Sequence, residues 1–170
     1  LSRVGFEGGS LCYDWHRKIA GQLHDVDFSH SVRLDDLRQV KSEEELSCIR
    51  RAMEIGDEAF AYILTYIRPG LSELDVAAAL ENCMRPKGSQ RPSFDTIVAS
   101  GKRGSFPHGT ATEKLINVGE FVTMDYGAVY KGYHSDMTRT VCMGRADEKQ
   151  RHVYSTVLKA QELGVSLVQP

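Results

Sequence analysis

Two aspartates stand eleven residues apart, Asp125 and Asp136, in the stretch "FVTMDYGAVYKGYHSDMTRTV" that runs from Phe121 to Val141. The stretch reads as two short strands joined by a tight turn, and aspartate is a poor strand former. With the turn placed at Tyr130-Lys131, Gly127 faces His134 and Asp125 faces Asp136. Directly opposed residues share one face of a ribbon, with Cβ atoms about 4.5–5.5 Å apart. Two carboxylates at that range repel, so a shared proton, an Arg or Lys, or a metal ion must neutralise them. Tyr-Lys is not the Asn-Gly type that a two-residue turn prefers. A pairing slip of one residue would put the aspartates on opposite faces.

The plainer reading is two solvent-facing acids, one of them paired with Arg139. The surrounding pattern argues for more. Val122, Met124, Met137, Val141 and Met143 supply an apolar back face, while Thr123, Asp125, Asp136, Thr138 and Thr140 line the other. That is a sheet with a polar working face. His108 lies nearby in "FPHGT", in a Gly- and Ser-rich loop, "SGKRGSFPHGTAT". A histidine in such a loop is by default a residue with no task. The loop matches neither GxxxxGK[ST] nor GxGxxG, so a phosphate cradle is discounted. His16, His24, His30 and His152 fall in helical or irregular contexts and read as structural; His134 beside the turn reads as a surface residue.

Several elements must position these residues. "KSEEELSCIRRAMEIGDEAFAYILTYIRPG" carries a capping box, Ser42 with Glu45, then apolar residues at helical spacing up to a Pro69-Gly70 stop. "LSELDVAAALENCMRPKG" repeats the device with Ser72 and Asp75 and ends at Pro86 to Gly88. The charges of both helices read as solvated faces. "SLCYDWHRKIAGQL" suits a short helix, and "DVDFSHSVRLDDLRQV" has no clean period. "SFDTIVASG" is a strand of the buried kind, and "DEKQRHVYSTVLKAQELGVSLVQP" a final helix with Val153, Val157, Leu158, Val165 and Val168 turned inward. The order helix, helix, strand, hairpin, helix predicts an α+β domain, an antiparallel sheet covered by helices.

Composition narrows the classes. With 170 residues, 41% hydrophobic and 26% charged, the chain is an ordinary globular one. A net charge of -2 gives no reason to expect nucleic acid or anionic membranes as partners. No apolar run reaches the ~20 residues of a membrane span. The first residues lack a signal-peptide pattern and a starting Met, which suggests that they are not the native beginning. Cys12, Cys48, Cys83 and Cys142 form no CxxC pair, which fits free thiols, a reducing compartment and a cytoplasmic location.

Together "VKSEEELSCIRRAMEIGDEAF", "SFDTIVASG", "PHGT" and "VTMDYGAVYKGYHSDMTRTV" resemble the first half of the catalytic domain of Xaa-Pro peptidases. These are the aminopeptidase P and prolidase relatives of the pita-bread superfamily. Asp-x10-Asp after a PHG loop is far more specific than either part alone. The resemblance implies that residues 38–170 are the first half of the pita-bread domain and residues 1–37 the tail of a separate N-terminal domain and its linker. It further implies a site of two divalent ions, manganese foremost, cobalt or zinc otherwise, held by two Asp, one His and two Glu. Asp125 matches the residue that chelates one ion and Asp136 the one that bridges both. His108 matches the histidine that contacts substrate and helps stabilise the transition state. A dication between the carboxylates would offset their repulsion, activate a water and polarise the scissile carbonyl.

The remaining His and two Glu have no match here, so the chain holds two of five ligands. The expectation is a fragment, inert alone and prone to self-association or dependent on a second half, of a protein whose substrate is a peptide with proline at its second position. Two other readings compete: a non-catalytic pita-bread module that binds partner polypeptides, and a metal-free creatinase-like hydrolase. The retained aspartates count against both.

Overall fold

A computed structural model describes residues 2–169, which divide into two compact units that meet between Glu44 and Glu45. The first is small. Strand β1 (Arg3–Phe6) pairs in parallel with β2 (Asp27–Ser31), across the helix α1 (Tyr13–Ala20). The stretch without a clean period thus contains a strand and one short turn of helix, α2 (Asp36–Gln39). His16 stacks on Phe28 and its Nε2 lies 3.2 Å from the Phe28 carbonyl oxygen, a structural use.

The second unit is built on two helices. Helix α3 (Glu43–Tyr66) starts directly after Ser42, and α4 (Glu73–Met84) after Ser72. The Ser72 and Asp75 capping box forms in full: Asp75 N donates to Ser72 Oγ at 3.0 Å and Ser72 N to Asp75 Oδ2 at 2.8 Å. A 3₁₀ turn follows α4 and ends on Gly88, whose φ of 108° suits glycine. The sheet is antiparallel, in the order β3 (Ile97–Ser100), β4 (Phe121–Tyr126), β7 (Met137–Cys142), with a ribbon of β5 (Val129–Tyr130) and β6 (Tyr133–His134). Ile55, Ala59 and Ile63 of α3 and Val76, Leu80 and Met84 of α4 bury against Val98, Val122, Met124, Tyr126 and Met137 of the sheet. The strand periodicity of two therefore delivers what it predicts, an apolar back face under the helices. Among the described residues all four cysteines are free thiols, and no helix is long and apolar enough to cross a membrane.

Two expectations are corrected. The hairpin turn lies at Lys131-Gly132, with Val129 opposite His134 and Tyr130 opposite Tyr133. Lys131 and Gly132 have φ of 48° and 84°, the left-handed pair that a two-residue turn requires, and Gly132 adopts it without strain. Asp125 consequently pairs with Thr138, not Asp136. Moving a turn by one residue changes each partner by two, so the aspartates keep a common face and become diagonal neighbours. The second correction concerns the last helix, α5 (Glu148–Ser166), which has no buried residue. Val157 is 63% and Val165 65% exposed. Helical periodicity identifies an apolar face but not what covers it. Among the described residues α5 is anchored at its first turns, by a capping box between Asp147 and Gln150, by Gln150 Nε2 on the Gly119 carbonyl at 2.7 Å, and by Tyr154 against Phe121.

Candidate functional site

The face of the sheet away from α3 and α4 is polar. Thr123 pairs with Thr140, their hydroxyls 3.1 Å apart, and Asp125 with Thr138. Arg139 does not neutralise either aspartate. It alternates onto the helix side, where it reaches Asp57 at 3.4 Å and lies over the Phe60 ring. The plain salt-bridge reading of the aspartates therefore fails.

Asp125 is half-buried, Asp136 and His108 exposed. Asp136 and His108 both lie near enough to Asp125 to act on its charge. Burial first, and then the charge of Asp136, push the Asp125 carboxyl above its ordinary value; a hydrogen bond from Thr138 and the nearby His108 pull it back only in part. Asp125 Oδ1 is buried and has no hydrogen-bond partner. Buried polar atoms are nearly always satisfied, and an orphan next to a second carboxylate needs an explanation. An acceptor-only oxygen pair of this kind suits a hard cation. The two aspartates fit part of a metal centre. Among the described residues no group of three or more His, Cys, Asp or Glu side chains completes one.

The loop that carries His108 is held by a residue that sequence reasoning missed. Glu73, at the start of α4, is fully buried. Its Oε1 accepts from Ser100 N at 2.7 Å and Ser100 Oγ at 2.9 Å. Its Oε2 accepts from Arg103 Nε at 3.0 Å, Thr112 N at 3.2 Å and Thr112 Oγ1 at 2.8 Å. A glutamate in the first turn of a capped helix is what the helix dipole favours anyway, so its position carries no special mark. Its partners lie 27 to 39 residues on and leave no local signal.

Burial alone would raise the Glu73 carboxyl, but the bonds from Thr112, Ser100 and Arg103 outweigh it and hold it below the usual glutamate value. A carboxyl lowered in the fold stabilises it above the unfolded value, about 4.3, and that contribution is lost as pH falls through the lower folded value. Glu73→Gln is therefore expected to cost on the order of 2 kcal/mol at neutral pH. The gap to the parent should close progressively below about pH 4. Melting temperatures of the two proteins across pH 3 to 7 (roughly the window in which carboxylates titrate) check this; a gap that stays constant would contradict it.

Known proteins share this arrangement of elements. The sequence profile of metallopeptidase family M24 matches residues 47–170. The Xaa-Pro dipeptidase of Pyrococcus furiosus is 44% identical over 137 residues, 81% of this chain and 39% of that protein. The structure of an Xaa-Pro dipeptidase from Bacillus anthracis superposes with a TM-score of 0.89 at 41% identity, over 99% of this chain and 47% of that one. For an X-Pro aminopeptidase from Thermotoga maritima the TM-score is 0.90 at 36% identity, over 95% of this chain and 46% of that one. The chain spans a little under half the length of these relatives. The α+β reading and the partial pita-bread fold are borne out by these likenesses and by the antiparallel sheet under two helices. The chain belongs to metallopeptidase family M24.

Proposed function

We propose that the complete protein of which this chain is a part hydrolyses the peptide bond preceding a penultimate proline. The observation that carries the reading is the orphaned, buried Asp125 Oδ1 beside Asp136, on the polar face of a sheet that resembles those of Xaa-Pro peptidases. Asp125 and Asp136 would hold divalent ions, manganese foremost. Such an ion, when bound, supplies Lewis acidity and lowers the pKa of water. The chain's own residues do the rest. Asp125, fixed in a central strand, presents its oxygen in a set direction, which keeps the cost of organising the site low. Thr138, its cross-strand partner, sits beside the carboxyl and favours its charged form. His108, in an exposed loop close enough to act on Asp125, contacts the substrate and donates a hydrogen bond where negative charge develops.

Two carboxylates bind a divalent ion weakly. We infer that the other ligands, one His and two Glu, belong to sequence outside these 170 residues, and that the chain by itself is inactive. Residues 1–37 are assigned to the tail of a preceding domain and residues 38–170 to the first half of the catalytic domain. The experiment is hydrolysis of an X-Pro dipeptide and an X-Pro-Y tripeptide with added manganese, by this chain and by the full-length polypeptide. Cleavage before proline by the full-length protein alone is the expected result. Inactivity of both would leave a polypeptide-binding module.

A further inference from the structure

We propose that Glu73 is the positioning residue of His108: one buried carboxylate that ties together both stems of the loop carrying the histidine and seats them against the strand that pairs with Asp125. The proposal rests on the reading of His108 as the residue that contacts substrate.

The geometry is a clamp. Ser100 ends β3, Arg103 lies in the 3₁₀ turn Gly101–Ser105 just before His108, and Thr112 follows His108 by four residues. All three donate to the one carboxylate. Arg103 closes the loop a second time, its guanidinium donating to the Thr110 carbonyl at 2.6 Å. Between these ties the chain turns tightly. Gly109 N donates to Phe106 O at 3.2 Å and Thr110 N to His108 O at 2.9 Å. The turn presses on the sheet: a Cβ at Gly109 would meet the Ala99 Cβ at 3.1 Å. Thr110 bridges Ile97, and Ile97 pairs with Asp125. The route from Glu73 to His108 and the route to Asp125 thus share the same strand.

The chemistry of the clamp is specific to a carboxylate. Five donors converge on two oxygens, and only an ionised acid offers acceptors on both. Glutamine would turn an NH₂ toward either Ser100 or the Arg103 and Thr112 pair, donor against donor. The expected consequence is a relaxed loop rather than a collapsed core, because the apolar contacts of α4 lie on Val76, Leu80 and Met84. Misplacement of a positioned group by about 1 Å can cost on the order of a hundredfold in rate.

The test is a double-mutant cycle in the full-length, manganese-loaded protein, read beside the His108 imidazole resonances of its diamagnetic zinc-loaded form. Glu73→Gln is expected to lower kcat/KM for an X-Pro substrate by about a hundredfold in the parent. It should have little further effect in a His108→Ala background, and should shift and broaden the His108 signals while leaving those of His152 in place. Equal losses in both backgrounds, with the His108 resonances unmoved, would overturn the proposal, because a general loss of folded protein acts on both alike. Should Glu73→Gln fail to fold, Arg103→Met removes the ion pair and the Thr110 tie from the half-exposed side of the clamp, with the same outcomes to read. If His108→Ala leaves hydrolysis unchanged, the substrate-contact reading of His108 fails, and the resonances still decide whether Glu73 places that side chain.

Discussion

Asp125→Asn in the full-length protein is expected to abolish hydrolysis of X-Pro peptides and the uptake of manganese, yet leave the metal-free fold at least as stable as the parent. The two halves of this result come from the same physical fact. In the parent, burial and the neighbouring Asp136 both act against the charged form of Asp125. Without a cation that strain is uncompensated, because burial and a neighbouring carboxylate both disfavour the ionised form. An amide removes the charge and offers a donor to Asp136. With the ion bound the balance reverses. Outer-shell partners of a metal site are worth about 10–100-fold in affinity or activity, and a direct ligand is worth more than that. Metal content after dialysis, turnover, and melting temperature with and without manganese are the three measurements. Full metal content and activity in Asp125→Asn would remove Asp125 from the site. A metal-free variant that melts well below the parent would mean that Asp125 serves the fold.

That contrast bears on what the sequence could reveal. Asp125 and Asp136 stood out because a charge inside a strand contradicts strand propensity, and such contradictions collect at working sites. The helices were legible because their start and stop signals are local: Ser72 with Asp75, then Pro86 to Gly88. The hairpin register was misjudged by the placing of one glycine. Taking Gly132 as a turn residue, and not as a flank, gives the observed pairing at once. Glu73 and α5 were illegible for a different reason. The Glu73 partners are Ser100, Arg103 and Thr112, remote in sequence and common in type. The valines of α5 announce an apolar face, but only the rest of a fold decides whether that face is covered. Local chemistry writes itself into short windows, whereas burial of a charge is a property of the assembled chain.

Gly127→Ala is expected to be the most damaging small substitution in the second unit. A Cβ on Gly127 would stand 1.9 Å from the Ser135 carbonyl oxygen and 2.7 Å from its carbon, both backbone atoms. Neither side can retreat. Ser93 N donates to the Gly127 carbonyl at 3.0 Å, and Ser135 N to the Ala128 carbonyl at 2.9 Å. The buried Ser135 Oγ bonds both Ala128 N, at 3.0 Å, and the Ala52 carbonyl of α3, at 2.9 Å. Overpacking usually costs 1–3 kcal/mol, and a clash with fixed backbone belongs at or above the top of that range, about 3 kcal/mol. For a domain of this size that lowers the melting temperature by roughly 6–12 °C. Gly56→Ala is the control. There a Cβ would meet only the Met137 side chain, Cε at 2.7 Å and Sδ at 2.9 Å, and a methionine tip can swing aside. Its cost should stay under about 1.5 kcal/mol. The difference reaches the metal as well as the fold, because Gly127 lies two residues beyond Asp125 and Ser135 one before Asp136. Any widening that admits the methyl group must spread the two carboxylates. Gly127→Ala should thus lose manganese affinity even at temperatures where it remains folded, and Gly56→Ala should not. Equal stability of the two variants would show that the ribbon yields more easily than its hydrogen bonds imply. A folded Gly127→Ala with parental metal affinity would show that the spacing of Asp125 and Asp136 is not what the ion measures.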